Sequence, residues 1–262
     1  MKNFWYCGLI IAVIGVMTGL SGLVFAQHSA VIEFKNKGEM VRTLRLDELD
    51  KIVTASSLKV FEAHEKRARI YQVYPARQLF DQVFGKGWRA AAEEVVFLCQ
   101  DGYQPSIPVA KFVAYDAYFA FASADDLPFT LTNVLQNNEM VKLGPLYLVW
   151  DNLKAAELRE HGAVDMPYQV VGIELASFAD RFPHLSPPVG ASQEVQQGFV
   201  HFRKHCIACH TINGQGGGKA PELNYPVSVT EYLQPEYLKR WIDDPAGIRY
   251  NTTMPALAAE TP

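Results

Sequence analysis

From Val31 to Leu175 the chain alternates short apolar runs with turn residues, the pattern of half-buried strands. Val31 to Phe34 and Val41 to Leu46 flank Asn36-Lys37-Gly38 and are expected to pair as a hairpin. Leu58 to Phe61, Ile70 to Tyr74, Leu146 to Trp150 and Tyr168 to Leu175 read as further strands, and Val95 to Cys99 with Gln104 to Ile107 enclose an Asp101-Gly102 turn. Ala76, Leu79, Phe80 and Val83 recur at helical spacing after Pro75, a suitable first helical residue, and Gly85 ends that helix. The region is expected to be a mixed α+β domain with more strand than helix.

The pattern changes after Arg181. Pro183, Pro187, Pro188 and Gly190 lie in a stretch with few apolar residues, the composition of a linker, so a domain boundary is placed over 181–191. Ser192 then opens a helix in which Val195, Phe199 and Phe202 share a face, and this helix runs straight into Cys206-Ile207-Ala208-Cys209-His210. One more amphipathic helix follows, with Pro235 at its start and Leu238, Trp241 and Ile242 at core spacing. The Gly- and Pro-rich remainder of 192–262 has too few apolar residues to fill a core by itself.

Composition adds bounds to this outline. The chain has 262 residues, 49% of them hydrophobic and 20% charged, which is globular and excludes disorder, collagen or a coiled-coil rod. A net charge of −4 leaves no basic excess for nucleic acid. Phe4 to Ala26 has no charged side chain, follows Lys2 and ends in Val24-Phe25-Ala26 before Gln27. Residues 1–26 are therefore expected to be a secretory signal peptide or, left uncut, a membrane anchor. Either leads to a periplasmic protein, soluble or held at the inner membrane, with an α+β domain over 27–180.

In an exported protein, C-x-x-C-H reads as covalent attachment of haem c. Cys206 and Cys209 are each spaced to add to one haem vinyl group, and His210 beside them becomes the proximal iron ligand. The competing reading, a disulfide or redox pair, expects the motif after a strand and at the start of a helix, whereas here a helix leads in. A large apolar ring also supplies the core that this segment lacks. Met254, in Thr252-Thr253-Met254-Pro255, is the candidate second axial ligand, because it sits among polar residues and before proline, a poor place for core filler. His184, His201 and His205 compete for that position, but His201 and His205 share the incoming helix with the motif.

Residues Gln193 to Pro255 resemble a class I c-type cytochrome domain, which is a small all-α fold. Gly198-Phe199 and Phe202 match its first helix, Ala220-Pro221-Glu222-Leu223 its turn after the motif, and Met254-Pro255 its ligand loop. The resemblance implies that the Pro221 carbonyl accepts a hydrogen bond from the His210 ring. It also points to Trp241 and Arg249 as contacts near the haem propionates, against a core tryptophan and a solvated arginine as the plainer readings. That family has a further helix after the methionine loop. Here the sequence ends at Thr261-Pro262, so a truncated record is expected, or replacement of that helix by a partner or by the first domain.

Val96-Phe97-Leu98-Cys99-Gln100-Asp101-Gly102-Tyr103, Ile107-Pro108 and Leu143-Gly144-Pro145-Leu146-Tyr147-Leu148-Val149-Trp150 resemble the sulfite-oxidase-like molybdopterin-binding fold. Two departures argue against its chemistry. The stretch from Leu44 to Pro75, where that family carries its molybdenum-ligating cysteine, has none, and Tyr147 occupies the usual arginine position. Cys99 is read as a buried unreactive thiol, and Asp101, Tyr103 and Asp116 as turn residues or solvated carboxylates. Molybdopterin is therefore not expected.

The leading expectation is an electron-transfer protein more than a catalyst: a monohaem cytochrome c that relays single electrons between redox-partner proteins, with the first domain as a docking or regulatory module. A molybdenum oxidoreductase feeding its own haem is the enzyme alternative. A haem-based sensor in which Met254 leaves the iron is the other.

Overall fold

The computed structural model describes residues 30–160 and 162–257. The expected leader, with Cys7, and the last five positions lie outside the described residues. Among the described residues no helix is long and apolar enough to cross a membrane.

The first region is strand-rich. Its strands are β1 (Val31–Asn36), β2 (Glu39–Arg45), β3 (Ser56–Glu62), β4 (Arg67–Pro75), β5 (Glu94–Cys99) and β6 (Ser106–Pro108). They are followed by β7 (Ala117–Ser123), β8 (Thr130–Asn133), β9 (Glu139–Lys142), β10 (Tyr147–Trp150) and β11 (Val170–Ala176). Two main sheets result, with strand orders β2-β1-β11-β5-β6 and β10-β7-β4-β3, and β8 with β9 forms a separate hairpin. β1 runs parallel to β11, and the remaining pairs in both sheets are antiparallel.

The helix α1 (Ala76–Phe84) presents Ala76, Leu79, Phe80 and Val83 to the core, as its spacing predicts. Pro75 is one position earlier than expected, serving as the last residue of β4 and the N-cap, because its fixed φ also suits an extended strand end. Phe80 is fully buried, and its ring lies 5.1 Å from Trp88, 5.5 Å from Phe112 and 5.8 Å from Phe119. Phe80→Ala is expected to destabilise the first region by about 3–5 kcal/mol, read by urea unfolding of the full chain.

The sheet β10-β7-β4-β3 also holds a buried polar cluster. The Glu62 carboxylate accepts hydrogen bonds from the hydroxyls of Tyr71 at 3.1 Å and Tyr147 at 2.9 Å. Burial, opposed by these hydroxyls, raises the Glu62 carboxyl. Tyr147 is thus a fully buried structural residue.

The proline-rich stretch from Phe182 to Ser192 contains no helix or strand. Arg181, assigned to the linker from sequence, instead packs on the first region. Its guanidinium donates to Gln104 Oε1 at 2.7 Å and lies 3.5 Å from a Glu174 oxygen. The second region begins with α2 (Gln193–His205), N-capped by the Ser192 hydroxyl as expected, and later contains α3 (Pro235–Asp243). It is helical but not wholly so, because β12 (Thr211–Ile212) and β13 (Gln215–Gly216) pair directly after the cysteine motif.

Candidate functional site

The cysteine motif forms a tight turn that continues α2. Cys206 is the C-cap, Cys209 N–H and His210 N–H donate to the Cys206 carbonyl at 3.1 and 2.9 Å, and the Cys206 N–H donates to Phe202. Helical backbone at this point puts the two cysteines three positions apart on one turn, with His210 next along. Both thiols are free and half-buried. Burial pushes the Cys209 thiol up to about 11; the Lys219 ammonium opposes that shift and the Asp101 carboxylate adds to it. Burial likewise raises the Cys206 thiol.

The His210 ring is fixed by one contact. Its Nδ1 lies 2.7 Å from the Pro221 carbonyl oxygen, so Nδ1 carries the proton and Nε2 keeps its lone pair for a metal. Pro221 is held in turn by a web that sequence reasoning missed. The Glu222 carboxylate accepts the backbone N–H groups of Asn213 at 2.8 Å, Gly214 at 2.9 Å and Asn224 at 3.0 Å. Desolvation opposes the change, but these donors hold the Glu222 carboxyl down at about 2 against an ordinary 4.5. A carboxylate one position after the turn proline, facing Asn213-Gly214, was the available signal.

A folded-state value below the ordinary one means the contribution is complete above about pH 4.5 and is lost as pH falls through about 2. Glu222→Gln is expected to cost about 1 kcal/mol at neutral pH. In thermal unfolding, its difference from the parent chain should shrink on acidification across that window.

The loop after the hairpin passes directly over the motif. Gly217 N–H donates to the Ile207 carbonyl at 2.7 Å, and a Cβ at Gly217 would collide with the Ala208 carbonyl, so only glycine fits there. Ala220 N–H donates to the Cys209 carbonyl at 2.9 Å.

The other sequence-predicted residues are more dispersed. Met254 is half-buried in an extended segment, its N–H donating to Thr252 Oγ1 at 3.2 Å. The Leu257 N–H ties that segment to the Ile242 carbonyl of α3 at 3.3 Å. Trp241 is half-buried on α3, edge-on to Tyr237 at 5.9 Å. Arg249 is exposed and caps the short helix Pro245–Ile248. Among the described residues no hydrogen bond, ion pair or ring contact joins Met254, Trp241 or Arg249 to the cysteine motif. His201 and His205 stack on α2 with ring centroids 6.2 Å apart.

The second region fits a large apolar group in two respects. α2 and α3 are strongly amphipathic, yet neither has a buried residue: Phe199, Phe202, Leu238, Trp241 and Ile242 all remain half-exposed to solvent. Its donor set, two free thiols and an imidazole with an oriented Nε2, suits covalent attachment and iron ligation.

The first region meets this site directly. Gln104 N–H donates to the Ala208 carbonyl at 2.7 Å, and Gly218 N–H donates to the Gly102 carbonyl at 3.0 Å. Gly102 has φ +86°, and a Cβ there would lie 2.8 Å from the Gly218 carbonyl carbon. Asp101 is therefore more than a solvated turn residue. One oxygen accepts the Tyr103 N–H at 3.0 Å, and the other lies 2.7 Å from Lys219 Nζ. Tyr103 packs partly buried against the core of the first region, with the Lys219 ammonium 5.6 Å from its ring centroid. Asp116 stands apart from both, paired with Arg77 at 3.2 Å. Cys99 is buried in β5, and burial raises its thiol well above the ordinary range.

Residues 195–260 match the family model described as cytochrome c. No curated protein matches the chain. The C-terminal region thus carries a cytochrome c domain, which implies a covalently bound haem c and haem-based electron transfer.

Proposed function

We propose that the chain is an exported monohaem cytochrome that relays single electrons between redox-partner proteins in a respiratory or dehydrogenase chain. Cys206 and Cys209 would hold the haem through thioethers, each S–H adding across one vinyl double bond so that no group is lost. His210 and Met254 would be the axial ligands. A haem held there would supply one-electron redox chemistry at its iron.

The observation that carries this reading is the 2.7 Å contact between His210 Nδ1 and the Pro221 carbonyl, next to two free cysteines. A proton on Nδ1 leaves the Nε2 lone pair free and makes the imidazole a stronger donor to a metal. Glu222 keeps the Pro221 turn in place, and Gly217 closes the backbone over the motif. The half-exposed apolar faces of α2 and α3 give an apolar ring surfaces to pack against, and Trp241 and Arg249 are the candidates for its propionate edge.

The first domain is read as a sulfite-oxidase-like scaffold turned to docking. Supporting this are its two packed sheets, the Tyr147 side chain spent on Glu62, and the Asp101–Gln104 turn resting on the cysteine loop. The uncharged run before Gln27 supports export to the periplasm, with that segment either cut or kept as an anchor.

Metal analysis of the full chain, produced with its leader in a haem c-maturing host, tests the reading. Iron equal to haem c, with no molybdenum, is expected. Stoichiometric molybdenum would instead make the first domain an enzyme and overturn the relay.

A further inference from the structure

The contact between the two regions carries charge to the haem-attachment loop. Lys219 follows the Gly-rich stretch that covers the motif, and the next residue's N–H is bonded to the Cys209 carbonyl at 2.9 Å. From there its ammonium reaches across to the first domain, 2.7 Å from Asp101 Oδ2, with side-chain exposures of 18% for Lys219 and 29% for Asp101. Gln136 Oε1 is a further partner of the ammonium at 3.5 Å. A second charged contact between the regions among the described residues, Arg203 with Glu94 at 3.5 Å, is made from the last turn of α2 rather than from the loop.

Two features fix the pair in place. The Gly218 N–H is bonded to the Gly102 carbonyl with no room for a side chain at Gly102, and the Gln104 N–H is bonded to Ala208 inside the motif itself. A charge held by such a contact cannot swing into solvent as a free surface lysine does. Partial burial also reduces its screening by water and salt.

We propose that the Lys219–Asp101 pair is a positioning and charge-setting element for the haem, tuning its reduction potential from the domain contact. The inference rests on the haem c reading above and extends it: the first domain becomes part of the haem's environment. Reduction of ferric to ferrous iron adds one electron, supplied by a donor protein, and lowers the charge of the site by one. A fixed cation beside the attachment loop therefore favours the reduced state and a fixed anion disfavours it.

The test is a potentiometric titration of the full haem-bearing chain and three variants, with haem c content first measured by pyridine haemochrome. Lys219→Met is expected to lower the midpoint potential, because Asp101 is left unbalanced. Asp101→Asn is expected to raise it, because Lys219 is left unbalanced, and Lys219→Arg should keep the parent value. Shifts of opposite sign separate a charge effect from loosened packing, which moves both variants in the same direction. Equal potentials in all forms, or same-direction shifts, would overturn the inference while leaving the haem reading intact. A chain without haem c would remove both.

Discussion

Replacing Cys206 and Cys209 together by alanine abolishes covalent haem in the full chain, and the haemochrome signal of the purified protein falls to background. The expectation is this sharp because the two sulfurs are the only covalent anchors proposed, and because the turn that carries them does not depend on them. The motif's shape comes from backbone bonds, Cys209 and His210 to the Cys206 carbonyl and Gly217 to Ile207, all of which alanine retains. Loss of haem would then report chemistry and not collapse of the loop. Each single variant keeps one attachment point and should retain haem through one thioether. Haem content unchanged in the double variant would remove the cysteines from the account. A first domain that still unfolds at the parent's urea midpoint serves as the control, since its core around Phe80 lies apart from the motif.

The second large effect is expected from Met254→Ala. A thioether sulfur opposite imidazole stabilises ferrous iron, so its removal should lower the reduction potential by on the order of 0.1 V, a modest part of the range that axial ligands command. The near-infrared sulfur-to-iron band should vanish, and carbon monoxide should bind where the parent chain excludes it. Met254 is suited to this because its segment is tethered on both sides, by Thr252 Oγ1 before it and by Leu257 to Ile242 after it. A parent chain that binds carbon monoxide at neutral pH, with no sulfur band, would favour the sensor alternative instead.

Local chemistry made part of this molecule legible from its residues. The spacing of Ala76, Leu79, Phe80 and Val83 placed α1, Lys37-Gly38 placed the first hairpin, and Ser192 marked the start of α2, because each signal acts within a few residues of itself. Strand β7 escaped because Ala117, Ala120 and Ala122 dilute its aromatic alternation, although Tyr71 and Tyr74 of β4 hold it in the sheet. The short strands β8 and β9 escaped because Thr130, Thr132 and Glu139 read as loop. Within the candidate site, the thiols, His210 and the Pro221 carbonyl were visible in the sequence. Glu222, bonded to partners within nine positions, offered only the local signal of a carboxylate facing Asn213-Gly214, and the docking of Asp101 to Gln104 on Ala208 to Lys219 offered none. Contacts between residues more than a hundred positions apart leave no periodic or spacing signal in one sequence, and Asp101-Gly102 looks the same whether its turn faces solvent or a second domain.

The most direct test of the central claim is peptide mass spectrometry on the full chain after export and maturation with haem available. The fragment containing Cys206 to His210 is expected to carry one haem joined through both cysteine sulfurs. The same fragment recovered with free thiols, or with Cys206 and Cys209 joined to each other, would contradict it.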